Sequence, residues 1–314
     1  GVTIEMVDLG STDYMTVLAT ELSGSGSDFD VVTIKDVPGY ATLVQKNAIL
    51  ALDDYIKNDG VDLSQYAGAT DQVLVDGKLY ELPFRNDFWV VFYNKDLFDA
   101  KGVPYPTNDM TFEEYDALAR QMTDTTFGSQ IYGTHYHTWR SAVQLFGVLD
   151  GQHTILDGEY SAFQPYYEMV LNQEADGVCR KYTDLKTEGL HYSEAFSGGD
   201  VAMLNMGSWF IATMISNLQS GEYDSSLCGN WGIVKYPHAE GVEAGSTLGT
   251  ITGLSVTAAS DTPDAAWEFV KWVSGEEGAA VMASSGNFPA IMTDEVKNMI
   301  AGLEGFPADA ESKI

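Results

Sequence analysis

The sequence predicts an α/β fold in two lobes, on three observations. The chain has 314 residues, more than one compact core of usual size takes, and chains of this length divide into lobes. Short apolar runs that read as strands alternate with segments of helical period, the pattern of α/β architectures with mostly parallel sheets. Hydrophobic residues make up 45% and aromatic residues 12% of the chain, ample for folded cores, and no low-complexity tract interrupts them.

Taken in order, VTIEMVDL (2–9) reads as a buried strand. Ser11 is placed to cap a helix over 12–22 that ends at the Gly-Ser run 23–27. DVVTI (30–34) is a second strand, followed by helical stretches at PGYATLVQKN and DDYIKN. In LVDGKLYEL (74–82), Asp76-Gly77 between alternating apolar residues signals a hairpin. WVVFY (89–93) is the next strand. Thr111 and Glu114 have the spacing of a capping box for a helix over 112–122. YGTHYH (132–137) reads as a strand, WRSAVQLFGVL as a helix, and 160–175 as a helix with apolar residues at helical spacing. VAMLNM (201–206) is a strand with a helix after it, and NWGIVKYP (230–237) is another strand. GSTLGTITG (245–253) leads into the strand LSVTAA. Thr262 and Pro263 open a helix as N-cap and first residue, and a last helix spans about 276–284.

Charge narrows the function classes. Forty-six acidic residues against 16 basic ones give a formal charge of −30, which repels nucleic acid and anionic lipid and disfavours an anionic ligand. Cys179 and Cys228 are too few for a disulfide framework and match no metal spacing, so they either pair or stay free. No run reaches the roughly 18 apolar residues of a membrane span. Residue 1 falls directly on a strand-like run without a signal peptide, which suggests an upstream segment that has been removed.

In open α/β sheets ligands sit beyond the carboxyl ends of strands. That rule selects Lys35 and Asp36, His137 and Trp139, and Gly207, Ser208 and Trp209. There is no GxSxG elbow, Walker loop, GxGxxG, HExxH or EF-hand loop. His135 and His137 suit one face of a strand as metal ligands, but no third ligand is evident, and zinc takes three or four; no metal or cofactor is expected. Asp36 and Asp87 are candidates for the paired carboxylates of a glycoside hydrolase. The aromatic residues point elsewhere. Rings such as Trp209 and Trp139 stack on the C–H face of a pyranose, and Asp or Asn side chains bond its hydroxyl rim. A pocket of rings with a few placed polar groups is typical of small-ligand sites.

The stretch LYELPFRNDFWVVFYNKDLFDAKGVPYPTN (79–108) resembles the family 1 extracellular solute-binding proteins of ABC importers, the carbohydrate-binding, maltose-binding-protein-like group. FDVVTIKDVPGYATLVQKNAILALDDYI (29–56), AFSGGDVAMLNMGSWF (195–210), GLSVTAASDTPDAAWEFVKWVSGEEG (253–278) and GNFPAI (286–291) are similar to its further blocks, in family order. The resemblance implies a two-lobe periplasmic-binding-protein-like fold with a sugar cleft between the lobes and hinge closure around the ligand. It assigns 1–86 and 252–288 to the first lobe, 87–251 and 289–314 to the second, with crossing strands near 84–93 and 246–254. It also implies that the family's first strand and helix, and its last helices, lie beyond the two ends of this sequence.

Carried over by position, Asp87 offers a carboxylate to sugar hydroxyls, Trp209 stacks on the sugar, and Asp36 is a first-lobe polar ligand. Tyr136, His137 and Trp139 match a second-lobe aromatic cluster. Strand alternation puts Trp89 on the side of Asp87; Arg85 and Asn86 orient Asp87, bind ligand or serve the hinge. Gly207 and Ser208 belong to the Trp209 block and Thr250 to the return crossing. The implied partners are a neutral mono- or oligosaccharide and the membrane permease of an importer. The protein is expected to be a monomer, without nucleic acid, held outside the membrane by a lipid anchor or in a periplasm. A glycoside hydrolase and a binder of a peptide or cationic ligand are the alternative readings.

Overall fold

A computed structural model describes residues 2–10, 12–24, 29–309 and 311–313. The chain runs through α1 (Tyr14–Glu21), β1 (Val31–Ile34), α2 (Val37–Gln45), α3 (Asp53–Asp59), β2 (Leu82–Asn94), α4 (Lys95–Lys101) and α5 (Phe112–Met122). It continues with β3 (Tyr132–His135), α6 (Ser141–Val148), α7 (Gln164–Ala175), α8 (Tyr182–Glu188), α9 (Tyr192–Ser197), β4 (Val201–Gly207) and α10 (Trp209–Ser220). It ends with α11 (Ser225–Cys228), β5 (Trp231–Lys235), β6 (Gly249–Val256), α12 (Pro263–Ser274), α13 (Glu276–Ser284) and α14 (Asp294–Ala301). These fall into two compact units, Gly1–Asp87 with Thr250–Ile300 and Phe88–Gly249 with Ala301–Ile314. β2 and β6 are the strands on which the chain passes from one unit to the other.

In the first unit β1 pairs antiparallel with β6, Val31 opposite Val256 and Ile34 opposite Gly253. Leu43, Leu52, Leu79, Val256 and Trp267 are buried there. Two buried tyrosines tie loops to the core through their hydroxyls, Tyr40 donating to the Val73 carbonyl at 2.8 Å and Tyr66 to that of Ser274 at 2.8 Å. Each replaces a solvent partner for a buried polar group. Local chemistry sets the turns as expected. Asp76 and Gly77 both adopt positive φ (50° and 74°) between the paired Val75 and Lys78, a two-residue hairpin turn.

In the second unit β2 lies between β4 and β5, antiparallel to both, and β3 runs parallel to β4. β4 is buried along its whole length. Behind these strands Val91, Tyr93, Met203 and Val234 pack on Phe98, Tyr115 and Met122 from α4 and α5. The start of α5 shows both bonds of the capping box, Thr111 Oγ1 to the Glu114 N–H and Glu114 Oε2 to the Thr111 N–H.

The structure corrects three expectations. The sheets are not mostly parallel: of the strand-to-strand registers among the described residues only β3–β4 is parallel. The cause is that β2 enters the second unit from the first while β4 and β5 run back against it. VTIEMVDL (2–9) is not a buried strand. Val2, Ile4 and Met6 are 77%, 59% and 91% exposed, because apolar alternation makes a strand only where a neighbour takes its backbone groups. Residues 289–300, expected in the second lobe, belong to the first unit; the Ala290 N–H donates to the Phe84 carbonyl at 2.9 Å and the Asn86 N–H to that of Phe288 at 3.2 Å. Ser11 and part of the 23–27 run lie outside the described residues, and α1 is preceded by Asp13 rather than by a capping serine.

Candidate functional site

The site begins on β2. Arg85 and Asp87, two residues apart, share a face of the strand, and the guanidinium lies 3.1 Å from the carboxylate. The Asp87 side chain is 4% exposed; a charge buried to that degree persists because it is paired. Asn86, between them, is half-buried, and its backbone N–H is held by Phe288.

One residue on, β2 locks to the end of β4. The Phe88 N–H donates to Ser208 Oγ at 3.1 Å, and the Ser208 N–H donates to the Phe88 carbonyl at 2.7 Å. Ser208 is wholly buried, and these two bonds make it a clamp on β2. Gly207 is buried too, and its role is steric: a Cβ there would lie 2.0–2.3 Å from ring carbons of Trp209. The missing side chain lets the indole lie directly over the backbone.

Trp209, half-buried at the start of α10, is the centre of an aromatic wall. Trp89 meets it edge-on at 5.7 Å and 85°, and Trp139 lies 6.1 Å away at a tilt. The Trp209 Nε1–H donates to the Tyr192 hydroxyl at 3.1 Å. Tyr192 is in ring contact with Trp139 at 5.6 Å and with His137 at 5.3 Å, and His137 meets Trp139 at 4.7 Å. His191 stands 4.0 Å from Tyr192 and 5.3 Å from His137. Trp89 is 3% exposed and Trp139 42%, so the wall grades from a buried root to an open edge.

Burial pushes the His137 imidazole down to about 4, helped by His191 and Lys186 nearby. His191 is lowered as well, chiefly by burial. Both rings are therefore neutral near pH 7, able to accept or donate a hydrogen bond without adding charge.

The other expected residues fall elsewhere. Tyr136, just past the end of β3, packs on Phe146 at 6.2 Å and is 6% exposed; the structure buries it in the core. Asp36 is exposed and caps α2, accepting from the Gly39 N–H at 2.7 Å. Thr250 is half-buried on β6 in the first unit. The two carboxylates considered as a hydrolytic pair thus each have a structural partner. His135 is wholly buried, and among the described residues no three His, Cys, Asp or Glu side chains gather as metal ligands. Cys179 and Cys228 are free and buried, and burial pushes their thiols up to about 12 and about 11. Tyr192 and His191 went unread in the sequence, because no motif marks them and they reach the wall only through the packing of α9 on β4.

A two-lobe α/β chain with a wall of indoles and neutral polar side chains has the character of a solute-binding protein. The chain belongs to the bacterial extracellular solute-binding protein family, whose model matches residues 1–280. It is 25% identical over 309 residues to a galactooligosaccharide-binding protein of Bacillus subtilis, covering 90% of this chain and 67% of that protein. The crystal structure of a sugar transporter from Rhizobium etli, in an open conformation, is 48% identical with a TM-score of 0.83, over 98% of this chain and 78% of that one. An ABC substrate-binding protein of Listeria monocytogenes in complex with cycloalternan shares the fold, with a TM-score of 0.79 at 23% identity over 96% and 75% of the two chains.

Proposed function

We propose that this protein captures a neutral mono- or oligosaccharide and hands it to the membrane permease of an ABC importer, binding its ligand without turning it over. The observation that carries this reading is the wall of Trp209, Trp139 and Trp89 with His137 and Tyr192 among them. Indole faces bury the C–H surface of a pyranose, and neutral hydrogen-bonding groups match its hydroxyls. The relatives that carry sugars in their names support the same ligand class. Asp87, whose carboxylate lies 3.1 Å from the Arg85 guanidinium, suits a charge-assisted bond to a hydroxyl. Hinge closure, action as a monomer, and a site outside the membrane with a lipid anchor or in a periplasm belong to the same reading.

The formal charge of −30 selects against anions. Thermal unfolding against a panel of neutral oligosaccharides and their uronate counterparts tests the proposal. A ligand at 100 times its Kd adds about 2.7 kcal/mol of stability, so a neutral sugar class produces a clear rise in Tm. A tighter uronate than its neutral counterpart, or no rise with any sugar, contradicts it.

A further inference from the structure

Trp209 is restrained from below by the bare backbone of Gly207 and from the side by Trp89. Both contacts are apolar and carry no directional bond. The directional contact is the Tyr192 hydroxyl, which accepts the Nε1–H at 3.1 Å. Tyr192 is itself closely packed: the residue is 8% exposed, its ring bounded by His191 at 4.0 Å, Phe210 at 5.3 Å, His137 at 5.3 Å and Trp139 at 5.6 Å. The short α9 that carries it is seated by the buried Ala195 and Phe196.

We infer that Tyr192 is the positioning residue of the carbohydrate wall: its hydroxyl fixes the rotation of Trp209, and its ring spaces Trp209 from Trp139. This rests on the carbohydrate reading and adds a consequence for specificity. An indole N–H in a half-buried site takes a partner. Because Tyr192 takes it here, Trp209 presents the ligand with a π face and no donor. The ring then selects sugars by the extent of their C–H surface rather than by the orientation of a hydroxyl.

Tyr192→Phe removes one oxygen and keeps the ring. In the ligand-free protein the Trp209 indole N–H resonance, assigned by its loss in Trp209→Phe, is expected to shift and to exchange faster with water. The Kd for a galactooligosaccharide mixture should rise roughly 2- to 12-fold, the range that follows from losing one hydrogen bond. Tm should move by no more than about 4 °C. A residue that only packs would leave the indole N–H unchanged, since Phe packs equally well. The inference is overturned if wild type binds the mixture and Tyr192→Phe binds it equally, or if the indole N–H is unaltered. Wild type failing to bind any sugar of the thermal panel brings down the carbohydrate reading instead, an outcome read before the variant is made.

Discussion

The two units bury ionisable side chains of opposite kind. In the first, Glu81 is 2% exposed with one carboxyl oxygen unpartnered, and burial pushes it up to about 8. In the second, His135 is wholly buried with neither ring nitrogen bonded, and burial, with Arg180 and His137 adding to it, pushes it down to about 3. Both groups are held mostly neutral near pH 7 by desolvation. The difference lies in the direction of the pH dependence: the first unit loses stability as pH rises towards 8, the second as pH falls below about 6.5. Rings divide as unevenly. Among the described residues the Tyr55–Trp267 stack lies in the first unit, while the connected wall around Trp209 lies in the second. The ring wall around Trp209 and the buried Glu81 therefore lie on different units, and substitutions can address them separately.

The largest effect expected is on Glu81. Between the ordinary carboxyl pKa and about 8 the folded first unit keeps a proton that the unfolded chain has released. Its stability therefore falls as pH rises through that window and levels off above it. The fall should be of order 3–5 kcal/mol, and Glu81→Gln should flatten it. Hydrogen exchange of first-unit amides from pH 5 to 8.5 measures this; an unchanged slope in the variant refutes it.

His135 should give the mirror image. The folded second unit excludes a proton that the unfolded chain takes up, so its stability is lost as pH falls from about 6.5 towards 3. His135→Leu should reduce that loss by of order 2–4 kcal/mol, read by urea unfolding of second-unit tryptophan fluorescence between pH 7 and 4. Protonation of His137, near pH 4, adds to the slope within the wall itself.

A smaller effect separates stability from binding. An alanine Cβ at 253 would meet Glu81 Oε2 at 2.4 Å, and one at 207 would meet the Trp209 ring at 2.0 Å. Gly253→Ala and Gly207→Ala should each cost about 1–3 kcal/mol by overpacking. Only Gly207→Ala should also weaken sugar binding, because only it displaces a ring of the wall. Equal losses of affinity in the two variants would erase the distinction between the units.

How much of this was legible in the sequence depended on how local the chemistry was. The Thr111–Glu114 capping box, the Asp76-Gly77 turn and the start of α12 at Pro263 each rest on neighbours a few residues away, and each appears as read. That His137, Trp139 and Trp209 lie together was also readable, since strand ends in α/β folds converge. What failed was whatever depends on a distant partner. Ser208 is a clamp because Phe88 lies opposite it, and Tyr136 is core because α6 supplies Phe146 on its face. VTIEMVDL is exposed although its residues are those of a buried strand. Tyr192 was invisible because its value comes from one hydrogen bond to a residue 17 positions away.

In the proposed function a neutral sugar is read by the indole of Trp209. Isothermal titration of wild type and Trp209→Ala with the neutral oligosaccharide that raises Tm most tests it directly. Removing a stacking aromatic from a binding site costs about 2–4 kcal/mol, so the Kd should weaken by at least about 30-fold with the protein still folded. Wild-type affinity in the folded Trp209→Ala variant would contradict it.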